Sequence, residues 1–324
     1  MNSCTILVPT YSRALLLRGA LESIQKLLIP PGWQVEVLVV DNGSKDNTTF
    51  IVEESRRAGP LDVRHVVESR QGLNYARNRG LLEADSEWVI YLDDDMLVNP
   101  EWVLGLVEAA ERHAPDCVIG PVEPWFEQAP DSWLTPRVVR SVTSPYSQKG
   151  NVVHLVENKL AHELPGCNFA VRREAALEAG GFHPSLDRAG KGMLAGGDFE
   201  FGVRLARLGR PVVYSPRCLI RHFISQAKVS VAGLRARWQG MGATGRAFER
   251  LDGKEPSSAR LVRDHLRMFR FLARSLHFRL VGKRGEAFEA ELDALHLRGY
   301  LWMAPALEPR PWPPRPLSQG QTVD

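Results

Sequence analysis

The sequence predicts an α/β fold: a mainly parallel central sheet with helices on both faces, followed by a helical C-terminal extension. Three observations carry that expectation. Strand and helix patterns alternate through residues 1–123, and repeated strand–helix–strand units make parallel sheets covered on both faces. The run Trp88-Val89-Ile90-Tyr91-Leu92 is continuously apolar, as befits a strand buried on both sides. From Val229 onward the strand signals stop and only helical spacing remains.

In chain order, Thr5 to Pro9 is the first strand and Ala14 to Leu28 the first helix. Val35 to Asp41 is the second strand, and Ser44 or Asp46 caps the helix from Asp46 to Ala58. Strands Val63 to Val67 and Glu87 to Asp93 alternate with helices Leu73 to Ala84 and Pro100 to His113. Pro100 suits a first helical turn because its missing N–H would have no partner there. Cys117 to Val122 is the fifth strand. Residues 124–163 then break into Pro, Trp and Ser with weak periodicity, long enough that function or mobility is expected of them. Order resumes at Gly166-Cys167-Asn168-Phe169-Ala170-Val171, followed by a helix from Arg172 to Ala179 that Gly180-Gly181 closes. A helix from Asp198 to Leu208 stops at Gly209, and short strands Pro211 to Tyr214 and Cys218 to His222 follow.

At 324 residues the chain can bury a large core and still carry an appendage. Hydrophobic content of 44%, charged content of 24% and a net charge of +3 are those of an ordinary globular protein. Cys4, Cys117, Cys167 and Cys218 form no Cys-x-x-Cys pair, which argues against a zinc site or disulfide framework and suits a reducing compartment. The chain begins almost at once with a strand, so no signal peptide is expected. No apolar run approaches the roughly 18–20 residues that span a bilayer. The expected location is cytoplasmic, with a peripheral position on the inner face of the membrane as an option.

The chemistry concentrates at strand ends. Asp93-Asp94-Asp95 closes the apolar strand, and three adjacent carboxylates repel one another unless a cation lies among them. Carboxylate oxygens suit magnesium or manganese, ions that commonly bind beside phosphates. Open α/β sheets bind ligands at these strand ends, whereas an acidic turn elsewhere is merely solvated. At the first βα junction, Val8-Pro9-Thr10-Tyr11-Ser12-Arg13 offers a ring, hydroxyls and a positive charge beside a helix N-terminus. Asp41 ends the neighbouring strand in Asp41-Asn42-Gly43-Ser44, which reads either as a ligand contact or as a turn with a helix cap.

Together with Gly72-Leu73-Asn74-Tyr75-Ala76-Arg77-Asn78, these segments resemble family 2 glycosyltransferases, whose pattern runs V-P-x-Y, V-D-x-S or V-D-N-G-S, G-x-x-x-A-R-N and D-x-D. All four occur here in order over residues 1–125, and the resemblance continues through Gly166 to Ala175 and ends near His222. It implies a nucleotide-diphospho-sugar transferase fold of GT-A type. It divides the chain into a catalytic domain at 1–225, with a nucleotide-binding half at 1–123 and an acceptor half at 124–225. A basic helical extension at 226–304 and a proline-rich, disordered tail at 305–324 complete the expectation.

Carried onto matching positions, the resemblance implies that Pro9, Thr10, Tyr11, Arg13 and Asp41 hold the nucleoside. Gly72, Arg77 and Asn78 would shape the pocket wall, Asp93 and Asp94 would contact the nucleotide sugar, and Asp95 would bind Mn2+ or Mg2+, with His222 completing the metal shell. The general base would come from Gly196-Gly197-Asp198-Phe199-Glu200-Phe201. The family usually shows Gly-Glu-Asp there, so Gly197 replaces a glutamate, Asp198 aligns with the base, and Glu200 is the alternative. A single displacement from a nucleotide-diphosphate sugar to a hydroxyl acceptor, a glycan or lipid-linked saccharide, would invert the anomeric configuration. A non-catalytic glycan- or membrane-binding protein that kept the fold, and a sugar-phosphate nucleotidyltransferase, are the alternatives.

Gly240-Met241-Gly242-Ala243-Thr244-Gly245 spells a dinucleotide fingerprint, but a charged helical segment precedes it where a buried strand is required. Close helix packing explains these glycines better. Between Gln226 and Arg284 the chain holds fourteen Lys or Arg against four Asp or Glu. Val262, Leu266, Phe269, Ala273, Leu276 and Leu280 share one helix face, beside a stripe of Arg260, Arg263, Arg267, Arg270 and Arg274. Packing of the apolar face with a solvated basic side, or contact with an anionic membrane, both suit this pattern. Nucleic acid is not expected, because no exposed aromatics interleave with the arginines.

Overall fold

The computed structural model describes residues 2–143, 154–156, 164–187 and 194–302. The expected proline-rich tail and much of the 124–163 break lie outside them. The order of elements is β1 (Ser3–Thr10), α1 (Ala14–Ile24), β2 (Gln34–Asp41), α2 (Thr48–Ala58), β3 (Asp62–Val67), α3 (Leu73–Glu83) and β4 (Trp88–Leu92). There follow β5 (Met96–Val98), α4 (Trp102–His113), β6 (Cys117–Ile119), β7 (Val122–Phe126), α5 (Pro136–Arg140), β8 (His154–Val156), β9 (Asn168–Arg172) and α6 (Arg173–Glu178). Then come α7 (Gly197–Arg207), β10 (Val212–Tyr214), β11 (Ile220–Ile224), α8 (Gln226–Val229), α9 (Val231–Leu251), α10 (Ser258–Leu280) and α11 (Arg284–Trp302).

Eight strands form one sheet in the order β3-β2-β1-β4-β9-β6-β10-β8. Neighbours from β3 to β4 run parallel, as do β6 and β10. β9 is antiparallel between β4 and β6, an insertion that strand patterns alone do not reveal. A second sheet, β5-β11-β7, stands beside the first. The predicted strand Cys117 to Val122 is therefore two strands: Gly120-Pro121 interrupts it, and the chain changes sheet there.

Alternation along each strand builds two cores. Ile6, Val8, Val37, Val39 and Ile90 face α1 and α4, whereas Leu7, Leu38, Val89 and Tyr91 face α3, α6 and α7. On the second side Tyr91 stacks on Phe169 at 4.8 Å, and Phe182 stacks on Phe201 at 4.7 Å. Each such side chain contributes roughly 1.5–3 kcal/mol on burial, so this aromatic quartet anchors α7 and the Phe182 segment to the sheet.

The extension packs through a smaller core in which Val138 and Val142 of the α5 region meet Ile224, Leu234, Trp238 and Leu292. Arg137 reinforces it by bonding Glu289 and Asp293 of α11. Gly242 lies so close to the His296 carbonyl that a Cβ there would overlap it, and Gly299 stands likewise against the Gln239 carbonyl. The fingerprint-like glycines thus let α9 and α11 touch backbone to backbone. α10 departs from the packed-face expectation. It buries Asp264, Met268 and Ser275, while Val262, Leu266, Phe269, Ala273, Leu276 and Leu280 point to solvent. The apolar face lies opposite the α11 contact, and helical spacing alone cannot tell which side a neighbour occupies.

Candidate active site

Thr10 pairs with Asp41 at the carboxyl ends of β1 and β2, and β4 lies alongside β1, so three parallel strands end together. The acid triplet follows β4 directly. Its three carboxylates meet different cations, with Arg13 shared between Asp94 and Asp95. Asp93 accepts from Arg77 Nη2 at 3.1 Å. Asp94 turns inward, accepting from Thr10 Oγ1 at 2.8 Å and Arg13 Nη1 at 2.6 Å. Burial pushes its carboxyl up to about 7, against the pull of Arg13. Asp95 Oδ2 accepts from Arg13 Nη2 at 2.7 Å and Lys228 Nζ at 3.2 Å. Burial opposes ionisation of Asp95, but His222, Lys228 and Arg13 together hold its carboxyl well below the ordinary range.

Asp95 Oδ1 is different: it is buried and has no hydrogen-bond partner among the described residues. His222 Nε2 stands 3.6 Å from it, too far for a hydrogen bond. Lys228 Nζ lies 3.1 Å from the same Nε2. A carboxylate oxygen suits manganese or magnesium, and an imidazole nitrogen beside it is a common transition-metal ligand. Among the described residues no three His, Cys, Asp or Glu side chains converge as a complete cage. Such a shell draws its remaining oxygens from substrate and water, as magnesium sites on phosphates do.

The base candidates separate clearly. Asp198 sits at the first turn of α7 and its Oδ2 accepts from Gly166 N at 3.2 Å. Glu200 is buried and accepts from Arg204 Nε and Nη2 through both oxygens, one turn along the same helix. Gly166 has no room for a Cβ against Asp198, and Gly197 none against the Asn74 amide. Asn74 in turn donates to the carbonyls of His183 and Leu186 at 2.9 and 3.0 Å. The position where the family carries glutamate is thus filled from α3.

Arg77 joins the two halves. Fully buried, it reaches Asp93 and also donates to the Gly166 carbonyl at 2.5 Å, and the Gly166 N–H holds Asp198. The half-buried Cys167 thiol is pushed well above its ordinary value, by desolvation first and then by the charges of Asp93, Asp95 and Asp198.

The remaining predicted residues are placed as follows. Pro9 is buried within β1, and Tyr11 is exposed at its end, followed by Ser12 with φ 49°. Asp41 accepts from Ser44 N at 2.8 Å, the turn reading of that segment. Gly72 adopts φ 145° and donates to Asn42 Oδ1 at 2.7 Å. Asn78 exchanges two bonds with the Phe182 backbone, both at 2.7 Å, and so ties α3 to the segment after α6. Lys228, Asn42 and Asn74 escaped the sequence reading. The tie from Glu200 to Arg204 was legible, since i,i+4 pairs share a helix face.

Similar folds occur in solved glycosyltransferases. The mannosyltransferase PcManGT from Pyrobaculum calidifontis, solved with GDP-Man and Mn2+, aligns over 92% of this chain and 72% of its own, with TM-score 0.58 and 22% identity. TarS 1–349 from S. aureus, solved with UDP, aligns over 91% and 90%, with TM-score 0.54 and 16% identity. The architecture is that of a GT-A glycosyltransferase. The model of glycosyl transferase family 2 matches residues 5–179, and the chain belongs to that family. It is 27% identical to the succinoglycan biosynthesis protein ExoM of Rhizobium meliloti over 231 residues, 71% of this chain and 70% of that protein. It is 23% identical to the glucosyl-dolichyl phosphate glucuronosyltransferase of Haloferax volcanii over 233 residues, 68% and 69% of the two.

Proposed function

We propose that this glycosyltransferase moves a sugar from a nucleotide-diphosphate donor to a hydroxyl of a glycan or lipid-linked saccharide, inverting the anomeric carbon, with residues 1–225 as the catalytic unit. Asp198 takes the proton of the acceptor hydroxyl. The oxygen attacks the anomeric carbon as its bond to the diphosphate breaks on the opposite side, and one displacement gives inversion. Gly166 N–H keeps one carboxylate oxygen of Asp198 oriented. Glu200 serves Arg204 and takes no part.

Asp95 and His222 would hold Mn2+ or Mg2+, whose chemistry when bound is to neutralise charge on the departing diphosphate. The observation that carries this reading is the unpartnered Asp95 Oδ1, buried beside the His222 imidazole on a carboxylate that Arg13 and Lys228 also approach. Arg13 and Lys228 supply positive charge to the diphosphate from the protein itself. Tyr11, exposed at the strand end, offers a stacking face to the nucleoside. The names of the relatives, in succinoglycan biosynthesis and in glucuronosyl transfer to a dolichyl-phosphate-linked sugar, support a polymer or lipid-linked acceptor.

The test is nucleotide release from a panel of nucleotide sugars with manganese, with and without chelator. Release that chelator abolishes and Asp198→Asn nearly removes is expected. Release unaffected by chelator would refute the metal role. A chain that binds a donor but releases no nucleotide with any acceptor would be a binder that kept the fold.

A further inference from the structure

The outward apolar stripe on α10 has no use in the transfer reaction. Val262, Leu266, Phe269, Leu276 and Leu280 are between 55% and 79% exposed, on a helix of 23 residues. They form a straight row about 27 Å long at 1.5 Å per residue. The row continues into a groove of about 840 Å³ between α10 and α11, bordered by Leu272, Leu295 and the exposed Trp302. A contiguous patch of this kind on a folded chain marks a contact surface.

Charge identifies the contact. α10 carries six arginines and a single carboxylate, Asp264, which is buried and held by Arg260 and Arg267. Arg263, Arg270 and Arg274 line one flank of the stripe, and Arg263 and Arg270 form no ion pair among the described residues. No helix among the described residues is long and apolar enough to cross a membrane. We propose that α10 lies flat on an anionic lipid bilayer, its leucine and phenylalanine row sunk at the headgroup boundary and Arg263, Arg270 and Arg274 on lipid phosphates. An interfacial helix needs an apolar face, a cationic border and low net hydrophobicity, and α10 has all three. A second copy fits less well: an antiparallel two-fold contact along the stripe would bring one arginine flank against its twin. The placement does not depend on the transfer reading, since α10 is remote in sequence from every proposed catalytic residue.

Flotation of the full-length protein with phosphatidylcholine vesicles, with and without phosphatidylglycerol, tests this, alongside light scattering of the protein alone. Binding only to the anionic vesicles is expected, falling steeply between low and high salt. Arg263→Gln with Arg270→Gln should weaken partitioning about twenty-five-fold, roughly five-fold per arginine. Leu266→Ser with Phe269→Ser and Leu276→Ser should abolish it while the melting temperature holds, because these side chains are already exposed. No binding by the parent protein would overturn the proposal. So would vesicle binding that survives the serine substitutions, or a parent dimer that those substitutions split into monomers.

Discussion

Gly197→Ala isolates one steric fact and sets it against an intrinsic preference of opposite sign. Gly197 opens α7 with ordinary helical backbone, so alanine would favour the helix by up to about 1 kcal/mol on propensity alone. The structure predicts the reverse outcome. A methyl there would overlap the Asn74 amide, with Cγ and Oδ1 of Asn74 both only 3.0 Å away. Asn74 can retreat only by releasing the carbonyls of His183 and Leu186, which it bonds at 2.9 and 3.0 Å. Overpacking costs about 1–3 kcal/mol, and leaving buried polar groups unpaired about 1–3 kcal/mol more. After the propensity gain the net loss is about 1–5 kcal/mol. At about 1.5 °C per kcal/mol for a chain of this size, the melting temperature should fall by roughly 2–7 °C. Thermal unfolding followed by circular dichroism, with urea titration as a check, measures it. An unchanged or raised melting temperature would refute the packing argument. It would mean that Asn74 yields freely and that the family's glutamate could be restored without cost.

Three further outcomes follow from the same geometry. Asp198→Asn should lower kcat by 10²–10⁴-fold with donor affinity nearly intact, whereas Glu200→Gln should act on stability through Arg204 and leave the pH profile of turnover unmoved. Asp95→Ala should lose manganese binding, read by electron paramagnetic resonance, and should also lower the melting temperature, because Arg13, Lys228 and His222 would face one another without their shared carboxylate. Lys228→Met should raise KM for the donor more than it lowers kcat; an unchanged KM would remove Lys228 from the diphosphate site.

The strand–helix alternation of the first half was legible because each element is long and periodic enough to declare itself. Three-residue strands were not: β5 holds only Met96-Leu97-Val98, and nothing in those residues announces a second sheet. The insertion of β9 between β4 and β6 is a pairing of distant segments, which no local pattern encodes. Carboxylates at strand ends could be read from order along the chain. Arg13, Arg77 and His222 beside them were legible from their motifs, but Lys228 was not, since it meets Asp95 only through the fold. α10 shows the limit of periodicity most plainly: its apolar row was found correctly, and its direction was not.

The second sheet fixes more than a strand order. His222 lies opposite Met96 in the β5–β11 register, and Phe223 N donates to the Asp95 carbonyl at 2.9 Å. The spacing of Asp95 and His222 is therefore a property of the main-chain ladder. Loops between them can lengthen or shorten without disturbing the pair. A single residue inserted into β5 or β11 cannot be absorbed in the same way, because a one-step slip turns His222 to the opposite face. Length variation among related chains should accordingly spare these two short strands, and a break introduced in the intervening loops should be repairable by adding the missing fragment back.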